Sequence, residues 1–346
     1  MEGTDWIGNR ELLASLEHKS DDSSEGAVIA IMIEGMRGVG KSKLLRKLAD
    51  RCRRQKMLTL YVRLHEGDDE RAVVRKIVEQ LRTALLEMDG NTAKTENPGK
   101  LGPGIAHLIE KAEMNLPQGV GAIAILLDDM DELRDANILL SKFSDALEKR
   151  KPLQRSGVRT NALTPKRPRG WLVAASGMYF QKNYGFERYM IAPLDGVDVE
   201  HILVHALEKS GVRWGDECLQ TLIRESGNNP QMFLTMARLL YDHLGPEEKR
   251  LTKAHYMENA QLIRQETAGV FDALYYRTSK QERRILVHLA KKDPQRVTEL
   301  ARALRLPLNT VTALVIRLLQ KGSVVKPERG IYRLFNPLYG RYILSR

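Results

Sequence analysis

The sequence predicts an α/β fold in which a doubly wound parallel sheet is continued by a helical lid and a C-terminal winged helix. Three observations carry this reading. An apolar run at residues 27–33 leads through a glycine-rich loop into an amphipathic helical pattern. A second apolar run, residues 122–127, ends in the adjacent acids Asp128 and Asp129. Beyond Pro193 the strand patterns give way to apolar residues spaced three or four apart, and the chain closes on a helix, a helix–turn–helix and a short ribbon.

Residues 27–33 are almost unbroken apolar, as a parallel strand buried on both faces requires. Gly35, Met36, Arg37, Gly38, Val39, Gly40, Lys41 and Ser42 then complete a G-x-x-x-x-G-K-[ST] phosphate loop. Residues 41–54 follow as a helix with Leu44, Leu45 and Leu48 on one side. Glycines let backbone N–H groups turn inward at a helix N-terminus, where the peptide dipoles favour an anion. This pattern implies a bound nucleoside triphosphate. Lys41 faces its β- and γ-phosphates and the Ser42 hydroxyl ligates Mg²⁺, with Arg37, Val39 and Lys43 in the same binding stretch.

Residues 57–64 read as a second strand, 69–88 as a helix, 89–104 as a mobile loop rich in Gly, Pro and Asn, and 105–115 as a helix. The strand ending at Asp128 brings that carboxylate beside Ser42 for a direct or water-mediated Mg²⁺ contact, and sets Asp129 near the attacking water. This is a Walker B pattern. The other reading is two solvated acids capping the helix that starts near Glu132. After a helix to about Arg150 come a basic loop, a fourth strand at 171–176 and a short fifth near 189–192.

Helical patterns at 197–210, 215–225 and 230–244 form a lid, and 253–276 supplies one or two connecting helices. From Ser279 a helix to Lys291, helices at 297–304 and 309–321, and strands at 324–326 and 331–334 make up a winged helix. The domain bounds expected are 1–192 for the core, 193–250 for the lid, 251–278 for the connector and 279–346 for the winged helix.

The net charge of +11 is unevenly placed. Residues 280–346 hold 15 Lys or Arg against 4 Asp or Glu, so this segment carries the whole excess. Such clusters concentrate polyanions, and Lys326, Arg329 and Arg333 in the ribbon, with Arg317 on the preceding helix, are the candidate contacts to duplex DNA. A second acid-free basic cluster at 149–170 reads as either nucleic-acid contact or a solvated loop. The helix at 309–321 offers Asn309, Thr310, Thr312, Ala313, Ile316 and Arg317 on its outer face, too few donors to read base edges. Two widely separated cysteines exclude a disulfide framework or zinc site, and no apolar run is long enough to span a bilayer, so a cytoplasmic, non-membrane protein is expected.

With these residues in place the chain resembles the bacterial and archaeal P-loop ATPases of the AAA+/STAND group that end in a winged helix, and is similar in architecture to origin-recognition initiators. The resemblance covers nearly the whole chain. It implies base contacts from Ile7 and Gly8, in a Trp6 to Leu12 segment interrupted by Asn9, and a γ-phosphate sensor at Ser176. It implies a lid contact to nucleotide from Pro230, within Gly227-Asn228-Asn229-Pro230, and an arginine finger at Arg188 acting on a neighbour's nucleotide. For Arg188 a simple pairing with Glu187 or Asp129 stays open. Aspartate rather than glutamate at position 129 implies slow hydrolysis. Three functions remain: an ATP-dependent switch that engages a partner or self-assembles, a DNA-binding ATPase, or a non-hydrolysing interaction module.

Overall fold

The computed structural model describes residues 9–89, 104–114, 116, 119–150, 170–180, 182–207 and 210–346. Ile7 and Gly8, the expected mobile loop after residue 89 and most of the basic 149–170 cluster lie outside the described residues. The chain divides into two compact units, one taking in Glu11–Glu34 with Lys41–Met190, the other Gly35–Gly40 with Ile191–Arg346.

The first is the sheet unit. Its elements are α1 (Arg10–Ser24), β1 (Val28–Glu34), α2 (Lys41–Arg54), β2 (Leu58–Arg63), α3 (Glu70–Asp89), α4 (Ile105–Met114), β3 (Ala122–Asp128), α5 (Ala136–Glu148), β4 (Gly170–Gly177) and β5 (Glu187–Met190). All five strands run parallel in the order β2-β3-β4-β1-β5. Every residue of β3 and β4 is buried, which explains why both read as continuous apolar runs rather than alternations. α2 covers the sheet with Leu44, Leu45, Leu48 and Cys52, all fully buried. Parallel register collects the strand ends on one edge: Arg63 lies opposite Asp128, Leu127 opposite Ala175, and Ile33 opposite Ser176. That edge is where open α/β sheets bind ligands. The fifth strand begins two residues earlier than its apolar residues suggest, because only its Glu187–Met190 backbone pairs with β1.

The second is the helical unit. Its elements are α6 (Gly196–Leu207), β6 (Arg213–Trp214), α7 (Asp216–Ser226), α8 (Pro230–Asp242), β7 (Arg250–Leu251), α9 (Lys253–Glu258), α10 (Ala260–Tyr276), α11 (Lys280–Lys291), β8 (Gln295–Arg296), α12 (Val297–Leu304), α13 (Leu308–Gln320), β9 (Val324–Glu328), β10 (Ile331–Leu334) and α14 (Pro337–Leu344). From α11 to β10 this is the element order of a winged helix, with a three-stranded sheet β8-β10-β9. One apolar cluster runs from Met36 through Leu203, Leu222 and Phe233 to Phe271, Leu286, Leu314 and Tyr339. The segments from α6 to α14 thus share a core.

The joint is α14, which the sequence reading missed. Asn336 caps it by accepting hydrogen bonds from the N–H groups of Leu338 and Tyr339, with Pro337 at the first helical position. The Asn336 amide also donates to the Ser226 carbonyl at the end of α7 (2.7 Å). Arg341 pairs with the buried Glu225, and Tyr339 packs against Phe271 and Phe335 with ring centroids 5.4 and 5.1 Å apart.

Glu282 organises the N-terminus of α11. It accepts from the Ser279 N–H (2.6 Å), completing a capping box, and from the Lys321 ammonium (2.7 Å). Burial raises its pKa, but the Lys321 bond and the Ser279 donors outweigh burial and hold it below its ordinary 4.5. A depressed carboxylate pKa stabilises the folded state above the unfolded value and loses that contribution as pH falls through the folded one. Acidification below 4.5 should therefore lower the urea midpoint of this unit, and Glu282→Gln should flatten that dependence. Cys52 and Cys218 are both buried and free, and no helix among the described residues is long and apolar enough to cross a membrane.

Candidate active site

In the sheet unit the strand ends form a network around Asp128, whose side chain is fully buried. Its Oδ1 accepts the Ser176 hydroxyl (2.6 Å) and the Asp129 N–H (3.1 Å), and its Oδ2 accepts the Tyr61 hydroxyl (2.6 Å). Asp128 is therefore not one of two solvated helix caps. Burying a carboxylate is costly unless donors surround it, and here two hydroxyls and an amide do so. Tyr61, on β2, carries Arg46 of α2 over its ring at 5.9 Å; burial and the bond to Asp128 push its hydroxyl well above the usual tyrosine range.

Asp129 follows in the left-handed region at φ 60°, which turns the chain off the strand and starts a short 3₁₀ turn at Met130–Glu132. Its N–H also reaches the Ser176 hydroxyl (3.3 Å), and its Oδ2 accepts from Arg63 Nε (3.0 Å). Ser176, expected to sense a γ-phosphate, is joined by these bonds to both acids. Lys41, at the start of α2, is 7% exposed. Nearby Asp131 is held above the ordinary carboxylate range by burial, with the Lys41 charge pulling the other way, and its Oδ1 has no hydrogen-bond partner. Sequence reasoning passed over Tyr61, Arg63 and Asp131. The third acid in Asp128-Asp129-Met130-Asp131 was the available signal.

Arg188 pairs with neither Glu187 nor Asp129. It binds Glu34, at the end of β1, through Nε (2.9 Å) and Nη2 (2.6 Å), and donates to the Phe180 carbonyl (2.9 Å). Glu34 is 1% exposed and takes a further bond from the Phe180 N–H (2.6 Å). Removing the guanidinium leaves that carboxylate buried with only the Phe180 N–H to offset its charge. Arg188→Ala should cost roughly 3 kcal/mol, the lower end for a broken buried pair because Arg188 itself is partly exposed; denaturant unfolding measures it.

In the helical unit the loop Gly35–Gly40 is held by the start of α8. Gly38 and Gly40 have φ of +79° and +107°, conformations that exclude most side chains. The Asn229 amide donates to the Arg37 carbonyl (2.7 Å), and the Gln231 N–H donates to the Gly38 carbonyl (3.3 Å). A Cβ on Gly38 would lie 2.7 Å from Asn229 Oδ1 and from Gln231. Pro230 lies between them and has no N–H to give, so the first free amide of α8 is that of Gln231. Asn229 also caps α8 by accepting the Met232 N–H (3.2 Å). The helix-start reading thus describes Asn229 and Pro230, and Asn229 also reaches the loop's backbone.

The donor set fits a nucleotide with Mg²⁺. In the sheet unit Lys41 and Ser42 open α2 and Asp128 presents an oriented hard-oxygen carboxylate, and in the helical unit Gly38 and Gly40 have positive φ, each set a kind that phosphate and Mg²⁺ sites use. Among the described residues no group of three or more His, Cys, Asp or Glu holds a metal alone. Magnesium in phosphate sites takes one or two protein ligands and draws the rest from phosphate and water.

Of the DNA candidates, Lys326 and Arg329 are exposed on either side of Glu328. Arg317 lies 3.5 Å from Glu282, and Arg333 is half-buried beside Asp293.

Residues 5–154 match the family described as AAA ATPase domain, and residues 268–343 match a domain of unknown function (DUF8462). No curated protein matches the sequence. Among solved structures, the Walker-type ATPase PABY2304 of Pyrococcus abyssi superposes with a TM-score of 0.68 at 13% identity, covering 98% of this chain and 96% of that one. A structure of Drosophila ORC bound to DNA superposes at 0.50 with 14% identity, over 99% of this chain and 88% of that one. Residues 5–154 are thus similar to an AAA ATPase domain, and the chain shares the P-loop ATPase fold of these structures.

Proposed function

We propose that the chain is an ATP-dependent switch whose nucleotide state is passed from the phosphate loop to the lid and the C-terminal module. The observation that carries this reading is the pair of hydrogen bonds from Asn229 and Gln231 to the loop carbonyls of Arg37 and Gly38. Any change in loop backbone on binding phosphate changes those bonds. The lid shares its core with the winged helix, so it responds together with that module rather than alone.

In this reading Lys41 neutralises the β- and γ-phosphates, while Ser42 and Asp128 hold Mg²⁺, which when bound supplies charge compensation at the phosphate oxygens. Tyr61 and Ser176 fix the rotation of the Asp128 carboxylate. Asp129 receives the proton of the attacking water. Its Oδ2 is engaged by Arg63, so turnover requires that bond to open or the other oxygen to serve. This supports slow hydrolysis.

The test is a size and shape measurement by light scattering and small-angle scattering with ADP or a non-hydrolysable ATP analogue. A difference in shape or assembly between the two nucleotides is expected; identical profiles at saturation would remove the switch. A second reading, that the basic module holds duplex DNA, is favoured by its charge of 15 cations against 4 acids.

A further inference from the structure

We propose that duplex DNA docks on the outer face of α11, rather than on the ribbon and α13. The proposal rests on the second reading above and assigns it a different surface.

On α11, Ile285, Leu286 and Leu289 are buried in the core. Lys280, Arg284, His288 and Lys291 occur at steps of four, four and three residues, so they form one stripe on the opposite face. At 1.5 Å per residue the stripe is about 16 Å long. It lines a groove of about 390 Å³ floored by Val287 and Leu304, and no acid lines that groove.

Two of its cations are fixed in place. Arg284 donates to the Leu304 carbonyl (3.2 Å) and to Gln281 (2.9 Å). Arg283, at the groove's edge, lies over the Tyr275 ring at 4.7 Å. Guanidinium groups already ordered lose less entropy when they grip a phosphate.

The ribbon and α13 are poorer in cations clear of acids. Arg317 lies against the buried Glu282, Arg333 is half-buried beside Asp293, and Glu328 separates Lys326 from Arg329. Cations with acids beside them release fewer counterions on meeting a polyanion, so the acid-free stripe is the stronger phosphate site.

A straight row of cations suits a linear polyanion. The groove lining has no Phe, Tyr or Trp; His288 is its one aromatic ring, too few for successive bases to stack, which favours a duplex over a single strand. No Asn or Gln lines the groove, and both guanidiniums that could read guanine are already engaged, Arg284 by Gln281 and the Leu304 carbonyl and Arg283 by the Tyr275 ring, so contacts to the phosphate backbone dominate.

The experiment measures, without nucleotide, the binding of the full chain to a random duplex of about 30 bp as salt rises from roughly 50 to 200 mM. Independence from nucleotide keeps the result separate from the ATPase reading. Lys280→Glu/Arg284→Glu/Lys291→Glu should flatten the log–log salt slope by about three units and weaken binding by roughly 10²-fold, whereas Lys326→Glu/Arg329→Glu should change the slope by less than about one. Should the reversal variant misfold by thermal unfolding, the neutral Lys280→Gln/Arg284→Gln/Lys291→Gln must show the same slope change. If the ribbon variant loses binding and the α11 variants keep it, the surface assignment fails while DNA binding stands. Absence of binding at low salt removes both. Poly-L-glutamate competing as well as unlabelled duplex, charge for charge, assigns the groove to acidic protein and overturns the proposal.

Discussion

Lys41→Ala is expected to abolish tight ATP binding, lowering affinity on the order of 10²-fold or more by calorimetry, because a charge-assisted contact to phosphate is worth about 1.5–3 kcal/mol each and the lysine makes more than one. The backbone donors of the loop remain but leave the β- and γ-phosphate charge under-compensated. The structure adds a control. Asp131 is buried within the influence of Lys41, so the single change also strips a buried carboxylate of a neighbouring cation. Lys41→Ala/Asp131→Asn should recover thermal stability without recovering ATP. Unchanged affinity in either variant would sink the phosphate-loop assignment.

Asp129→Asn should keep ATP affinity and slow turnover by roughly 10²-fold or more, the scale of losing a general base. The amide retains the shape of the side chain and the left-handed backbone at φ 60°, a conformation asparagine tolerates. Loss of rate therefore reports proton transfer rather than a collapsed turn. Arg63→Ala is the companion: it frees Asp129 Oδ2 without touching the loop, so kcat should change while ATP affinity does not. If Asp129→Asn turns over like the wild type, Asp129 serves only to shape the chain.

The parts of this site that sequence revealed are those encoded within a few residues. The phosphate loop, the buried strand before it and the acids that end β3 announce themselves by local pattern. So does the proline-initiated α8, from Asn229-Pro230. What stayed hidden depends on strand order. Arg63 meets Asp129, and Tyr61 meets Asp128, only because β2 pairs with β3 in a register that an apolar run does not specify. Arg188 finds Glu34 because β5 lies beside β1, 154 positions away in sequence. Helix α14 was lost for another reason: its eight residues include Gly340 and two tyrosines, weak helix formers, and tertiary packing around Phe271 overrides their propensity.

The hold of Asn229 and Gln231 on the phosphate loop bears on how the protein can be cut. A fragment ending at Met190 would contain Lys41, Ser42, Asp128 and Asp129, every residue by which such a domain is recognised. It would lack the two donors that settle the carbonyls of Arg37 and Gly38. With those carbonyls released, the glycines sample many backbone shapes, and ATP must order the loop at its own expense. The fragment should therefore fold and yet grip nucleotide weakly.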